Sequence, residues 1–361
     1  MPQTKSTSLK IGAAQLRLLE RLSNACAVSG DEGEVRKIVL EEIRPIADDV
    51  KIDALGNILA VKRGLAGGAP PLKVMLDAHM DEVGFMIIQD EGDGIYRFDT
   101  VGGMDERQLV GKSVLVGKDH LPGVIGAKAV HLTRPEERKT PISLDVLRID
   151  VGPGSNKIKI GDWAVFATRF QRLGPSLVGK ALDDRLGVAT LIELLKHAPP
   201  NIDLLAAFTV QEELGLRGAR VAAYALDPDL AIAIDSTPAN DLPMWDGSEN
   251  AAYNTRLDAG PALYIADSST LSDPRLVRHL AQTGDALRIP YQFRQPGGGG
   301  TNAGAIHKQR AGIPSVSISI PGRYAHTAAL VSRLSDWQAA LALVYQALIH
   351  LPADILSQPR E

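Results

Sequence analysis

The sequence predicts an α/β fold in which helices cover both faces of a mostly parallel sheet, with a small β-rich insertion. Two observations carry this prediction. Helix-like and strand-like segments alternate over the first ninety residues and again after Gly179. Between them, residues 87–166 contain only short strand-sized runs separated by Gly, Pro and Asp. Alternating strands and helices favour a parallel sheet, whereas short runs at this spacing are typical of a small barrel or sandwich.

The first α/β segment contains two predicted helices followed by two predicted strands. Leucines at helical spacing predict a helix over residues 9–28. Asp31 with Glu34 three residues later is a start signal for the second helix. Apolar runs at residues 57–61 and 72–76 have the length and composition of strands.

The same alternation predicts the elements that follow the insertion. Helices are expected at residues 186–197, 217–225, 275–283 and 336–350, and strands at residues 204–210, 230–234 and 315–320. We therefore expect residues 1–86 and 167–361 to form one α/β domain, into which residues 87–166 are inserted as a second domain.

The composition excludes several classes of protein. The chain has 361 residues, of which 45% are hydrophobic and 23% charged, so we expect a globular protein with more than one domain. A net charge of -4 without a long Lys/Arg tract gives no sign of a nucleic-acid or membrane partner. The N-terminal residues lack the apolar core of a signal peptide, which predicts a cytoplasmic protein.

Cys26 is the single cysteine of the sequence. One thiol cannot form an internal disulfide, and it excludes zinc sites built from several cysteines. We therefore expect any metal to be held by His, Asp and Glu. Because Cys26 lies on a helical pattern, we interpret it as an inert thiol in the core.

Potential metal ligands follow the predicted strands of the α/β part. The carboxyl ends of parallel strands share one edge of a sheet, where ligand sites form. The residues expected at this edge are His79, Asp81, Glu212, Glu213, Asp235 and His326, together with Asp183 and Asp184 at the start of a helix. Adjacent residues of a regular strand point to opposite faces, so Glu212 and Glu213 can serve one site only where their strand breaks.

Each of these residues has a structural explanation when it is considered alone. A His after a strand is usually a surface or core residue, and an Asp at a helix start is usually a cap. The group is harder to explain without a cation, because several carboxylates at one edge repel each other. Three ionised carboxylates and two neutral histidines do not fully balance the charge of two divalent ions. The remaining single positive charge is balanced by one bridging hydroxide, as in a two-metal hydrolase. Glu212 is then free to act as the base.

Five motifs share their order and spacing with a known family. They are AHMDEVGFMI (78–87), GKALDDRLG (179–187), VQEELGLRGA (210–219), AIDSTPAND (233–241) and GGTNAGAIHKQRAGIPSVSISIPGRYAHT (299–327). The chain resembles the tetrahedral-assembly (TET) aminopeptidases, metallopeptidase family forty-two, over nearly its whole length. The resemblance implies a zinc-exopeptidase type of α/β domain, with a small barrel or PDZ-like dimerisation domain inserted between the first and second metal ligands.

The resemblance also implies a role for each residue of the site. One ion is held by His79, Asp183 and Asp235, and the other by Asp183, Glu213 and His326. Glu212 is the catalytic base, and Asp81 supports His79 in catalysis. The family further implies two divalent ions per subunit, zinc first with cobalt or manganese as alternatives, peptide substrates, and self-association from a dimer up to a tetrahedral dodecamer.

Two positions depart from the family pattern, and other functions remain open. Thr327 replaces the usual Ser and keeps its hydroxyl, whereas Asn302 replaces an Asp, which we expect to change the substrate side of the site. A related deacylase or carboxypeptidase needs a cation for the substrate carboxylate, and Arg323 is the ready candidate. A non-catalytic assembly protein is the remaining alternative. Glycoside hydrolysis fits poorly, because it needs two carboxyl groups on opposite sides of a sugar bond.

Overall fold

The computed structural model describes residues 9–65, 70–154, 157–248, 250, 254–295 and 298–360. Its α-helices are α1 (Ala13–Asn24), α2 (Gly33–Ile43), α3 (Leu182–Lys196), α4 (Arg217–Leu226), α5 (Pro274–Leu287), α6 (Ala303–Ile306) and α7 (Leu334–Ile349). Single 3₁₀ turns lie at Glu106–Gln108, Val130–Leu132, Glu137–Lys139, Leu144–Val146 and Ile355–Ser357.

The strands fall into two groups along the chain. The α/β part contains β1 (Asp49–Ile52), β2 (Ile58–Lys62), β3 (Leu72–His79), β10 (Gln171–Leu173), β11 (Ser176–Gly179), β12 (Ile202–Thr209), β13 (Leu230–Pro238), β14 (Ala262–Leu263), β15 (Gln292–Phe293), β16 (Ser315–Arg323) and β17 (Leu330–Arg333). Between them lie β4 (Gly84–Gly92), β5 (Ile95–Val101), β6 (Ser113–Val116), β7 (Leu121–Gly126), β8 (Arg148–Asp150) and β9 (Trp163–Phe166).

The first group forms one mixed sheet of 11 strands, in the order β1-β2-β12-β3-β13-β16-β17-β11-β10, with β14 and β15 beside β16. The four central strands β12, β3, β13 and β16 are parallel, and both flanks are antiparallel. The predicted α/β class is confirmed. Along this order parallel pairing is confined to the centre, and the hairpins β1–β2 and β10–β11 form the two edges of the sheet.

The second group forms a closed antiparallel barrel in the order β4-β5-β8-β7-β6-β9, as the composition of this segment predicts. Closure leaves the barrel without a free edge. Its core is separate from that of the sheet and centres on Phe85, whose ring makes edge-to-face contacts with Phe98 and Phe166, each at 5.2 Å between centroids. Such aromatic pairs contribute about 0.5–1.5 kcal/mol beyond the burial of their area.

Helices cover the sheet and bury its apolar faces. Helix α3 is buried on nearly every side, which explains why its sequence is apolar all round. It packs against α7, where the fully buried Trp337 donates its indole N–H to Thr190 at 2.9 Å. Among the described residues, no helix is long and apolar enough to cross a membrane.

Candidate metal centre

The ends of neighbouring parallel strands bring several candidate ligands to one edge of the sheet. His79 is the last residue of β3 and lies opposite Thr209, the last residue of β12. Asp235 lies in β13 opposite Ser319 of β16. Because strand β13 pairs with both β3 and β16, the imidazole and the carboxylate meet at the same edge.

Left-handed backbone turns direct the other side chains toward this edge. Gln211 has a φ of 55° and Gly215 a φ of 105°, so the chain leaves the strand direction directly after β12. Glu212 and Glu213 lie in this turn and can therefore face one site, as the sequence predicts. His326 also has a left-handed backbone, with a φ of 57°, in the turn that follows β16.

Two groups of side chains share the carboxylate of Asp183. In the first group, His79 Nε2 lies 3.3 Å from Asp183 Oδ1 and 3.5 Å from Asp235 Oδ1. In the second, His326 Nε2 lies 3.3 Å from Glu213 Oε2 and 3.7 Å from Asp183 Oδ2. Each oxygen of Asp183 thus faces one group, which is the geometry of a bridging ligand. Asp183 precedes Asp184 through a cis peptide bond.

The spacing within each group fits a divalent ion. Nitrogen and oxygen ligands at about 2.0–2.1 Å from a tetrahedral zinc ion lie about 3.3 Å from each other. The distances of 3.3–3.7 Å in both groups match this value and exceed those of good hydrogen bonds. Asp183 Oδ1 is also buried without a hydrogen-bond partner, which a bound cation would supply.

The electrostatics of this edge of the sheet also favour a bound cation. Burial raises the pKa values of Glu212 and Glu213 well above their usual range, and neighbouring carboxylates add to this shift. Burial opposes protonation of His79, but the surrounding carboxylates of Asp183, Asp235 and Asp81 outweigh it and raise its pKa well above the usual value. The carboxylates at this edge therefore repel one another when they are ionised, and a positive group there would relieve this repulsion.

Asp81 contacts residues of both ligand groups. It is fully buried, and its Oδ1 lies 3.5 Å from His79 Nδ1. The same carboxylate accepts the backbone N–H groups of Glu212 and Glu213 at 3.0 and 3.1 Å, and the hydroxyl of Ser29 at 2.6 Å. Although burial raises its pKa, these donors and His79 lower it below the usual value, so Asp81 stays ionised. Its position suits the supporting role expected from the sequence.

Comparison with known proteins assigns the chain to a family. A family model described as M42 glutamyl aminopeptidase matches residues 56–343. The chain belongs to this family. The predicted resemblance is confirmed, and the family places the chain among the exopeptidases, a class of hydrolases.

Relatives share the architecture over almost the full chain. A lysyl aminopeptidase from Pyrococcus furiosus is 32% identical over 86% of this chain and 90% of its own. An aminopeptidase structure from the archaeon Desulfurococcus kamchatkensis has 34% identity and a TM-score of 0.88, covering 95% of this chain and 96% of that one. A TET1 peptidase from Pyrococcus horikoshii, described as assembling into a tetrahedron or an octahedral shell, has 30% identity and a TM-score of 0.80, covering 93% and 100%.

Asn302, which replaces an Asp of the M42 pattern, is buried beside β3 and β12. It is 2% exposed and donates to Asp77 at 2.6 Å and to Thr209 at 3.0 Å. Burial raises the pKa of Asp77 to about 7, against the effect of these two hydrogen bonds. Any effect of Asn302 on the substrate side would therefore act through Asp77 and Thr209, and the expectation drawn from the sequence stays a prediction. The neutral amide of Asn302 donates to Asp77, whereas an Asp at this position could donate only when protonated.

The barrel contributes a contact that sequence reasoning missed. His326 Nδ1 lies 2.7 Å from the carbonyl oxygen of Gly103, in the loop after β5. A carbonyl can only accept, so Nδ1 carries the proton and Nε2 is left free to bind a metal. At the neighbouring Gly102, with a φ of 86°, a Cβ would lie 2.7 Å from Val83 and 3.3 Å from Glu213. The Gly102–Gly103 pair is the one sequence signal of this close approach.

A buried ion network behind the centre was also missed. Lys180 Nζ contacts both carboxylate oxygens of Glu82 at 2.5 and 2.6 Å, and Arg185 contacts the same carboxylate at 3.2 Å. Arg185 also donates to the carbonyl groups of Met80 and Asp81. All three ionic groups are nearly inaccessible to solvent. The network therefore fixes the backbone that follows His79 and carries Asp81.

Two arginines bear on the alternative functions. Arg323, the cation that sequence analysis offered for a substrate carboxylate, is bound to Asp241 at 2.6 and 2.9 Å. Arg294 is 7% exposed and lies over the ring of Tyr264 at 4.7 Å. Its Nη2 donates to the carbonyl of Gly298, while Nε and Nη1 have no hydrogen-bond partner in the described part of the chain.

We expect Lys180→Met to lower the free energy of unfolding by about 3–5 kcal/mol, because it removes one partner of a buried ion pair and weakens the neutralisation of Glu82. Denaturant unfolding measures the change. Lys62→Met is the matched control, because the Lys62–Asp48 pair at 2.9 Å is exposed and its loss costs only about 0–1 kcal/mol. Equal losses in the two variants would contradict a stabilising role for the buried network.

Proposed function

We propose that this chain is a metal-dependent aminopeptidase that removes N-terminal residues from peptides, with Glu212 as its general base. The observation that carries the proposal is the pair of ligand groups that share Asp183 beside Glu212. Family membership supplies the exopeptidase class. The two arguments are independent, because the first rests on distances and the second on sequence similarity.

The two ligand groups support an assignment of residues to each ion. His79, Asp183 and Asp235 would hold one divalent ion, and Asp183, Glu213 and His326 would hold the other. When bound, such ions lower the pKa of water and polarise a carbonyl oxygen. Zinc is the first candidate, and cobalt or manganese also suits carboxylate and imidazole ligands.

Glu212 is placed to move a proton between water and the leaving amine. Its side chain belongs to the same edge as His79 and Glu213, where ligand atoms of the three residues lie within 4.8 Å of one another. Its backbone N–H donates to Asp81, which fixes the main chain that carries the Glu212 side chain. A raised pKa suits a base that first accepts a proton from the attacking water and then delivers it to the amine.

The charge of the site favours a free amino terminus. Acidic side chains surround the edge, and the Arg323 guanidinium is engaged by Asp241. A substrate ammonium group therefore finds opposite charge, whereas a substrate carboxylate at this edge meets repulsion. Among the described residues, Nε and Nη1 of Arg294 have no hydrogen-bond partner, and this cation is the observation that favours a deacylase or carboxypeptidase as the second candidate function.

Glu212→Gln is expected to reduce turnover of an aminoacyl chromogenic amide by about 10²–10⁴-fold, because an amide cannot accept the proton. Metal content, measured by mass spectrometry of the purified protein, should stay unchanged. Glu20→Gln on the exposed face of α1 is the matched control and should keep full activity. A Glu212→Gln enzyme with most of its activity would rule out this residue as the base.

Metal removal and N-terminal blocking separate the candidate functions. Stripping the protein with a chelator should abolish cleavage of aminoacyl amides, and zinc, cobalt or manganese should restore it to different extents. N-acetylated versions of the same substrates should resist cleavage by the restored enzyme. Cleavage of the blocked substrates with none of the free ones would favour the deacylase or carboxypeptidase, and no cleavage at all would favour a non-catalytic assembly protein.

We also propose that residues 87–166 form an inserted dimerisation domain. The barrel and its loops expose several apolar side chains, as expected for a surface that pairs with a second copy. They are Val124, Val130, Leu132, Ile142, Val146 and Ile160. The assembly described for the Pyrococcus horikoshii relative supports self-association of this chain. A cytoplasmic location stays a prediction from the sequence.

Light scattering of the purified protein should give a mass that is a multiple of the single chain. Leu132→Lys together with Val146→Lys should lower this mass, because both charges enter the proposed contact surface. Leu65→Lys, at an exposed apolar position of the α/β part, is the matched control and should leave the mass unchanged. A barrel variant that keeps the full assembly would place the subunit contacts elsewhere.

A further inference from the structure

A second cluster of metal-binding side chains lies apart from the centre described above. It lines a cleft of about 560 Å³ between the α1–α2 segment and the barrel. Cys26 lies just after α1, Glu34 in the first turn of α2, and His120 in the turn between β6 and β7. Ligand atoms of the three residues lie within 4.8 Å of one another.

The three side chains are already oriented toward each other. His120 Nε2 lies 2.6 Å from Glu34 Oε1, and Glu34 Oε2 accepts the backbone N–H of Cys26 at 2.9 Å. Cys26 is partly buried in the cleft wall, and its Sγ makes no hydrogen bond to any described residue. The contacts explain the pairing of Glu34 with His120, but they leave the sulfur beside this pair without a partner.

The donor set matches the coordination chemistry of zinc. Zinc is held by thiolate, imidazole and carboxylate groups, and a thiolate with a carboxylate balances the charge of one divalent ion. The other charged residues that line the cleft are balanced in sign, with Asp31 and Asp162 opposite Lys118 and Lys159. The opening of the cleft leaves space for water as a fourth ligand.

We propose that Cys26, Glu34 and His120 form a mononuclear zinc site that links the α1–α2 segment to the β6–β7 turn of the barrel. The thiol proton is released to solvent when the thiolate binds the ion. This site is independent of the proposed peptidase activity. It differs from two expectations from the sequence, that metals are held by His, Asp and Glu and that Cys26 is inert.

Cobalt gives a direct test, because Cys26 is the single cysteine of the chain. A thiolate bound to Co²⁺ absorbs strongly in the near ultraviolet, whereas the carboxylate and imidazole ligands of the dinuclear centre do not. The full-length protein, stripped of metal and titrated with Co²⁺ until all its sites are filled, should develop this band with a final intensity that corresponds to one cobalt–thiolate bond per chain. Zinc added afterwards should displace the cobalt and remove the band.

Variants then identify the ligands. Cys26→Ser should abolish the band and His120→Asn should weaken cobalt binding at least tenfold, and each should lower the zinc content by one equivalent per chain. His131→Asn, at an exposed histidine of the same barrel segment, is the matched control and should change neither. If Cys26→Ser fails to fold, the surface variant His120→Asn still decides the question. Absence of the band at saturating cobalt, or a band that His120→Asn leaves unchanged, would overturn the proposal.

Discussion

The structure depends on one electrostatic constraint, the crowding of buried carboxylates at the carboxyl edge of the parallel strands. Asp183, Glu212, Glu213 and Asp235 lie at this edge, where burial and mutual repulsion oppose ionisation of most of the group. A cation at the edge reverses this cost, because each carboxylate then gains more from attraction than it loses in hydration. Folding and metal binding are therefore expected to be coupled in this chain.

The remaining buried charges are placed so that they do not compete for that cation. The charge of Asp81 is stabilised by hydrogen bonds from two backbone N–H groups and from Ser29, with His79 Nδ1 3.5 Å away. Glu82, the next residue, points away from the centre and is paired with Lys180 and Arg185. The adjacent residues Asp81 and Glu82 thus have different partners, because alternate side chains of an extended backbone point to opposite sides.

The barrel contacts the proposed metal centre and also contributes exposed apolar side chains to the surface of the protein. The carbonyl of Gly103 orients the ring of His326, although the two residues are 223 positions apart. The proposed Cys26 site makes a second connection between the barrel and the α/β part. The barrel, which also exposes apolar side chains, therefore contacts one residue of the proposed metal centre.

The sequence by itself determined most helices and strands, and it placed acidic and histidine side chains together at one sheet edge. Period and strand composition are local properties, and the carboxyl ends of parallel strands must coincide, so His79, Asp235 and Glu213 could be placed at this edge before any coordinates. Only the tertiary structure decided that Gly103 orients His326, that Arg185 holds the turn after β3, and that Asn302 is buried. It also decided that His120 meets Glu34 and Cys26. These contacts join loops from distant parts of the chain, and neither periodicity nor spacing encodes which loops become neighbours.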